Sequence, residues 1–293
     1  MDGVVIYNVP HFFGGSSTIP WDIFIVLHFF LSGLSAGAFI TSAAAAFIDW
    51  EKYKKIAVIG AYLAFIPIVI DVPVLIFDIG RPMRFYMLLF KGSITAPLTW
   101  GTWFLVLLGV FSLINIALNK GVKSLKAYKT LILILGVICA IGVSSYTAVA
   151  MNIATNARPI WSNGIVIPIF MAASGIAGVA AITFFYALSG ADGKCLVRLN
   201  SVNAVLLAAQ LIMVGFLVIT AYTSTQISRE AAYEIAAGRL SLAFWFFFVI
   251  IGLIAPGIAF WREILVKGAA LDRTPAAVIS VMALIGVFAI RYI

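Results

Sequence analysis

The chain has little charge and almost no cysteine. Only 10% of its 293 residues are charged, 63% are hydrophobic, and the mean hydropathy is +1.13. No soluble domain has that balance, whereas a polytopic membrane protein does. The two cysteines, Cys139 and Cys195, are too few to ligate an iron–sulfur cluster or a zinc ion. We therefore expect two unpaired thiols and no metal site.

Histidine is equally scarce, and this bears on haem. His28 is the only histidine within an apolar run, because His11 lies in the N-terminal tail. A b-type haem usually needs two axial histidines, so we expect none. The tail has no basic residue ahead of an apolar core, so we expect no removable signal peptide and a first span that directs its own insertion. Nucleotide-binding and nucleophile motifs are also missing, so no catalytic residue is predicted.

The basic residues predict a membrane orientation. The net charge is +8 and the pI about 9.6, but the lysines and arginines fall mostly in short loops, which favours topology and lipid contacts over nucleic acid. The odd-numbered loops carry 12 of them, against 7 in the even-numbered loops and the tails. Because positive charge collects inside, we predict both termini outside the cytoplasmic (inner) membrane.

Apolar runs long enough to cross a bilayer recur along the sequence. We therefore predict an all-α membrane protein of eight transmembrane helices in a compact bundle. The predicted spans are 21–48, 56–77, 98–118, 131–151, 165–188, 204–222, 240–260 and 275–290.

An internal echo suggests duplication. Residues 32–37 (SGLSAG) in the first span resemble 174–178 (SGIAG) in the fifth, and a tryptophan precedes each segment. We predict an extracytoplasmic tail at 1–20 and two related four-helix bundles at 21–151 and 152–293. Gly33 and Gly37 form a small-residue face for close helix contact. The alternative is that Gly, Ala and Ser are simply common in packed membrane helices.

Polar side chains from three spans are predicted at one depth near the outer surface. His28 lies about seven residues below the outer end of the first span, and Asp71 about 10 Å below the end of the second. Tyr146 lies near the outer end of the fourth. A quinone head needs hydrogen-bond donors and proton carriers beside its oxygens, and imidazole and phenol supply them. The alternatives are a histidine bonded to a backbone carbonyl and a tyrosine of the interfacial belt.

Acids inside a membrane helix point to a buried polar site. Asp71 and Asp78 share a face of the second span, which Pro67 and Pro73 interrupt, so the prolines free backbone carbonyls beside the acids. This arrangement suits proton passage, and Ser32, on the face of His28, extends the route. Alternatively, Asp78 forms a structural ion pair with Arg81 or Arg84.

The sequence resembles the NrfD/PsrC family of polysulfide-reductase-type membrane subunits. After Trp21, the matching segments are 30–39 (FLSGLSAGAF), 77–85 (FDIGRPMRF), 96–103 (APLTWGTW), 146–147 (YT), 158–161 (RPIW) and 291–292 (RY). Ala96 replaces the usual serine, and Thr147-Ala148 replaces the common Thr-Gly.

The resemblance implies a quinone-interacting subunit with no catalytic centre, haem or iron–sulfur cluster of its own. It would pass electrons between menaquinone, or a related quinone, and an extracytoplasmic iron–sulfur protein, often joined to a molybdopterin catalytic subunit. By this analogy the quinone contacts are His28, Tyr146, Asp78 and Arg81; the proton route is Asp71, Asp78 and Ser32; and the partner contacts are Arg84, Arg158 and Trp161.

Two other functions remain open from the sequence. Internal duplication and intramembrane acids also suit a proton or ion transporter, either independent or driven by redox chemistry. The acids are concentrated in the second span and are not mirrored in the second half, which disfavours a symmetric carrier. A passive anchor with a lost quinone site is the third possibility.

Overall fold

A computed structural model describes residues 23–78, 86–153, 163–190, 192–267 and 272–293. Within these ranges the regular secondary structure is helical throughout. The helices in sequence order are α1 Ile23–Ile48, α2 Trp50–Asp78, α3 Tyr86–Phe90, α4 Pro97–Asn119, a 3₁₀-helix Lys123–Tyr128, α5 Lys129–Ile153, α6 Val166–Leu188, α7 Gly193–Thr223, α8 Gln226–Ala236, a π-helix Ala243–Ile254, α9 Ala255–Lys267 and α10 Arg273–Tyr292.

Eight helical segments are long and apolar enough to cross a membrane, which confirms the predicted fold class. They are α1, α2, α4, α5 with its preceding 3₁₀ turn, α6, α7, the π-helix running into α9, and α10. The main difference is the start of α7, which lies eleven residues ahead of the predicted span. Asp192 accepts a hydrogen bond from the backbone N–H of Lys194 and caps the helix there.

The second span is one continuous helix in spite of its two prolines. Pro67 and Pro73 both lie inside α2. A proline in a helix interior removes one backbone hydrogen bond and frees a carbonyl one turn earlier. The Ser35 hydroxyl of α1 donates to the carbonyl oxygen of Ala64, the residue after Leu63, whose own carbonyl loses its helical donor at Pro67. The neighbouring helix therefore supplies a donor to this irregular stretch.

Helices α1 and α6 touch through their backbones at a pair of glycines. A Cβ atom added to Gly37 would lie 1.9 Å from the carbonyl oxygen of Ser174, and one added to Gly178 would lie 2.1 Å from the carbonyl carbon of Gly37. Only glycine permits this approach, so the predicted small-residue face of α1 meets its counterpart in α6. A second crossing of this kind joins Gly252 of the π-helix to Gly286 of α10.

The outside of the bundle is apolar. Exposed large side chains such as Ile66, Ile138 and Ile212 project from α2, α5 and α7. In a soluble protein such a surface would aggregate, whereas in a bilayer it faces lipid tails. The polar side chains of the spans lie inside, and three of them build the candidate site.

Candidate functional site: a buried Asp–His–Tyr triad

Three side chains from three helices meet inside the bundle of the first four spans. His28 of α1 lies between Asp71 of α2 and Tyr146 of α5. Its Nδ1 atom is 2.8 Å and 2.9 Å from the two carboxylate oxygens of Asp71, and its Nε2 atom is hydrogen-bonded to the Tyr146 hydroxyl. The exposed fractions of His28, Asp71 and Tyr146 are 3%, 0% and 6%, so the triad is inside the bundle.

The bonding partners determine which imidazole nitrogen carries the proton. An ionised carboxylate only accepts hydrogen bonds, so Nδ1–H of His28 donates to Asp71. In the neutral ring Nε2 is then an acceptor, and the Tyr146 hydroxyl donates to it. A proton arriving at Tyr146 can therefore pass to Nε2, and the resulting imidazolium faces the carboxylate.

Glycine in α4 provides the space for the tyrosine ring. A Cβ atom added to Gly101 would lie 2.2 Å from Cδ2 of Tyr146. The Tyr146 ring therefore lies directly against the α4 backbone, which limits its rotation and directs its hydroxyl toward His28. Gly101 of the 96–103 motif thus leaves the space that the Tyr146 ring occupies.

Ser32 lies one turn along α1 from His28, and its hydrogen bonds in the described structure go to backbone carbonyl oxygens. Its hydroxyl donates to the carbonyl oxygen of His28 at 2.6 Å. This bond is a local helix contact. The structure therefore places Ser32 beside the triad, and its part in a proton route stays a prediction.

A buried arginine lies next to the triad, and sequence reasoning gave it no role. Arg291 of α10 is 3% exposed. Its Nη2 atom donates to the carbonyl oxygen of Phe170 and to the hydroxyl of Ser174, both at 3.1 Å. Its guanidinium carbon is 3.9 Å from the centroid of the Phe170 ring, in a cation–π contact. Its Nε and Nη1 atoms have no hydrogen-bond partner among the described residues.

Arg291 connects the second half of the protein to the triad. It packs against Phe170, whose ring lies 6.4 Å from the ring of Phe29, the residue next to His28. A Cβ atom added to Gly33 would lie 2.8 Å from Ser174 Oγ and 3.2 Å from Arg291 Nη2, so the glycine leaves room in α1 for this hydrogen-bonded pair. The signal that could have found Arg291 is the 291–292 (RY) segment at the end of the last span, which matched the family pattern but was given no role.

Several predicted residues fall outside the described part of the protein. Asp78 is the last residue of α2, but its side chain is not described. Four further predicted residues lie outside the described ranges. Arg81 and Arg84 are in segment 79–85, and Arg158 and Trp161 are in segment 154–162. Their proposed contacts with quinone or with a partner protein therefore stay predictions.

The second half contains a different set of buried polar groups. Asn200, Asn203 and Gln210 lie on one face of α7 and have no exposed surface. Neither the oxygen nor the nitrogen of any of these amides has a partner among the described residues. Buried amides of this kind usually hold ordered water.

The fold and the site together define an integral, multi-pass membrane protein with a buried carboxylate–imidazole–phenol triad. The protein belongs to the NrfD family: the family model "Polysulphide reductase, NrfD" matches residues 13–293. The resemblance inferred from the motifs is therefore confirmed.

Individual relatives have low sequence identity to this protein, but the alignments cover most of its length. The sequence is 24% identical to "Protein NrfD homolog" of Haemophilus influenzae, over 98% of this protein and 95% of that one. It is 26% identical to one of the polypeptides of the polysulfide reductase of Wolinella succinogenes, over 82% of each. It is also 22% identical to one of the subunits of the selenate reductase of Mesobacillus selenatarsenatis over 78% of this protein, but spans only 64% of that relative's length.

Proposed function

We propose that this protein is the quinone-reactive membrane subunit of a respiratory oxidoreductase. It exchanges electrons between menaquinone, or a related quinone, and an iron–sulfur protein on the outer face, which in turn serves a molybdopterin catalytic subunit. Membership of the NrfD family and the reductase-subunit names of its relatives support an oxidoreductase membrane subunit. The observation that carries the quinone assignment is the buried triad of His28, Asp71 and Tyr146.

The donors present fit a quinone head group. The head presents two oxygens that need hydrogen-bond partners, and a bound quinol supplies two electrons and two protons. Tyr146 offers a hydroxyl that is already coupled to an imidazole. Arg291 offers N–H groups on Nε and Nη1 that are buried and without partners among the described residues. Both lie in a desolvated interior, where a hydrogen bond is stronger than in water.

Each member of the triad has a distinct role. Tyr146 binds the head group and hands its proton to Nε2 of His28. His28 is the proton acceptor, since its Nε2 atom accepts the hydrogen bond from the Tyr146 hydroxyl. Asp71, bonded to Nδ1 at 2.8 Å, fixes the ring orientation and stabilises the imidazolium. General acid–base chemistry of this kind contributes about 10²–10⁴-fold to rate.

The remaining predicted residues extend this site. Asp78 and Arg81 would complete the quinone site, and Asp71, Asp78 and Ser32 would carry protons away from it. Arg84, Arg158 and Trp161 would contact the iron–sulfur partner near the second and fourth loops. Arg291, which the sequence prediction lacked, favours negative charge at the hydroxyl end of the relay.

The test is quinol-linked turnover in membranes that contain the whole complex. We expect Tyr146→Phe and His28→Ala each to lower turnover of a menaquinol analogue at least 100-fold, with normal insertion of the protein. Tyr186→Phe is the matched control, because it also removes a buried hydroxyl but lies in α6 near the opposite end of the bundle. Unchanged turnover in both triad variants would refute the assignment.

Proton translocation is the second candidate function. It is favoured by Asn200, Asn203 and Gln210, whose unpaired amides along α7 suit a hydrated path. Proteoliposomes with an internal pH dye separate the two functions. An internal pH change larger than the protons released or taken up by the quinol itself would support translocation. Normal quinol turnover without such an extra pH change would support the redox function only.

A further inference from the structure

A basic pocket lies at the end of the bundle opposite the triad. It has a volume of about 390 Å³ and opens where α1, α2, α4, the 3₁₀-helix and α5 meet. Four lysines line it, and none of its described lining residues is acidic. We call it the lysine pocket; the residues that carry the argument are Trp50, Lys54, Asn119, Lys120, Lys126 and Lys129.

The lysine pocket has fixed walls. The Lys129 ammonium lies 4.3 Å from the centroid of the Trp50 ring, in a cation–π contact. Asn119 donates from Nδ2 to the carbonyl oxygen of Asn115 at 2.9 Å. Gly121 adopts φ = 87°, a conformation that favours glycine, so the backbone turns out of α4 at the pocket edge.

The depth of the pocket places it at a membrane surface. Ala46 of α1 lines it and is 18 residues from His28, which corresponds to about 27 Å along a helix. That distance is close to the thickness of the hydrocarbon core, so pocket and triad lie near opposite faces. Trp50 in its wall is a residue typical of the interface.

The chemistry of the pocket fits one class of ligand. The four lysine ammonium groups around the pocket repel one another, and an anion between them would offset this repulsion. Lysine binds phosphate groups well because its ammonium is a compact charge. Basic pockets between transmembrane helices bind anionic headgroups. The Asn119 Oδ1 atom is buried without a hydrogen-bond partner among the described residues, so it is a free acceptor beside the cations.

We propose that the lysine pocket binds the headgroup of an anionic, glycerol-headed phospholipid of the phosphatidylglycerol or cardiolipin type. The phosphodiester lies among Lys54, Lys120 and Lys126, and a headgroup hydroxyl donates to Asn119 Oδ1. The hydroxyl contact distinguishes these lipids from phosphatidic acid, which has the charge but no headgroup hydroxyl. This site is independent of the proposed quinone chemistry.

Matched triple variants of the purified full-length protein test the proposal. K54Q/K120Q/K126Q removes three pocket charges and keeps Lys129, which packs on Trp50. K52Q/K123Q/K194Q removes three exposed charges that do not line the pocket. Both sets lie at the same end of the bundle. The hydrogen bond from the Lys55 ammonium to the carbonyl oxygen of Ser189 shows this, because it joins the start of α2 to the end of α6, close to Lys194 at the start of α7.

Binding is measured by native mass spectrometry and by thermal shift on titration with phosphatidylglycerol, phosphatidic acid, phosphatidylcholine and inorganic phosphate. We expect the pocket triple to bind phosphatidylglycerol at least tenfold more weakly and the control triple less than twofold more weakly. Asn119→Ala should remove the preference for phosphatidylglycerol over phosphatidic acid.

Three outcomes would overturn the proposal. Equal losses in the two triples would indicate diffuse surface charge, and no loss in the pocket triple would exclude the site. Stabilisation by inorganic phosphate as large as that by phosphatidylglycerol would identify a free anion as the ligand. If the pocket triple does not fold, Lys126→Gln carries the test, with a two- to fivefold loss expected and no loss contradicting the site.

Discussion

The first four spans pair their buried polar side chains with one another more completely than the last four do. His28 joins Asp71 to Tyr146 across three helices, and Asn115 of α4 donates to the Ser42 hydroxyl of α1 at 3.1 Å. The exceptions are the buried Ser112 Oγ and Asn119 Oδ1 atoms.

In the last four spans the buried amides of α7 have no partners among the described residues. Asn200, Asn203 and Gln210 each leave both polar atoms unpaired. A satisfied buried network rigidifies its surroundings, whereas an unpaired buried amide costs about 1–3 kcal/mol unless water reaches it. The comparison teaches that the described part of the first half holds a hydrogen-bonded polar triad, whereas α7 in the second half buries polar atoms without protein partners.

The largest expected effect tests whether the two halves depend on each other. In Gly37→Ala the new methyl group would lie 1.9 Å from the Ser174 backbone oxygen, which cannot move aside cheaply. We expect loss of most folded protein, since overpacking costs about 1–3 kcal/mol even where side chains can shift. The measurements are the yield of monodisperse protein in detergent and its Tm.

Gly215→Ala in α7 is the control for this change, because an added Cβ atom would meet no atom within 4 Å there. Normal yield and Tm for Gly37→Ala would show that the halves can separate slightly at no cost, and the backbone contact would then be unimportant.

The second prediction concerns the charge within the relay. Asp71→Asn keeps the shape of the side chain but removes the carboxylate that faces His28 at 2.8 Å. We expect a loss of about 2 kcal/mol in stability, because hydrogen bonds to charged groups are worth about 1.5–3 kcal/mol. Quinol-linked turnover should fall about 100-fold because the imidazolium loses its counter-charge.

Asp192→Asn is the matched control for Asp71→Asn. Asp192 caps α7 at the exposed end of the helix, where asparagine serves about equally well. A turnover loss of the same size in both variants would argue against a special role for the buried carboxylate.

The third prediction concerns the contact between Gly101 of α4 and the Tyr146 ring. Gly101→Ala would place a methyl group 2.2 Å from the Tyr146 ring, so the ring must move away from α4. We expect about a tenfold fall in quinol turnover, because a misplaced proton carrier loses part of its catalytic advantage. Stability should fall by about 1–2 kcal/mol.

Gly257→Ala in α9 provides the comparison in the second half, since its added Cβ atom would meet open space. If Gly101→Ala retains full turnover, the orientation of Tyr146 does not depend on α4.

The smallest effect is expected where the buried amides lie. Gln210→Met keeps the length of the side chain and removes two polar atoms that have no partner among the described residues. We expect stability within about 1 kcal/mol of that of the unchanged protein, because the ordered water that satisfies the amide is lost together with the amide itself. The measurement is the Tm of Gln210→Met compared with the Tm of Asp71→Asn. A drop of similar size in both variants would mean that the Gln210 amide makes strong hydrogen bonds in the folded protein.

The fold was predictable from the sequence because apolar runs of span length are rare outside membranes. The start of α7 was not, since Arg198, Asn200 and Asn203 lower the local hydropathy of a stretch that is nevertheless helical. A window average cannot distinguish polar residues that face the interior of a bundle from polar residues in a loop.

The candidate site was predictable in composition but not in geometry. Counting residues from the span ends placed His28, Asp71 and Tyr146 at one depth, yet only the packing of α1, α2 and α5 shows which atoms meet. Arg291 was missed because its neighbours, Phe170 and Ser174, are 121 and 117 residues away in the sequence. The 291–292 (RY) segment marked the residue, but no local pattern shows which distant groups it contacts.

The position of Arg291 also has a consequence for biogenesis. Because α10 is synthesised after the other described helices, the pocket between Phe170 and Ser174 that receives its guanidinium stays open during translation. The N-terminal helices can associate early, as N-terminal units do during synthesis. The hydrogen bonds from Arg291 to α6 can therefore form only after translation has passed α10.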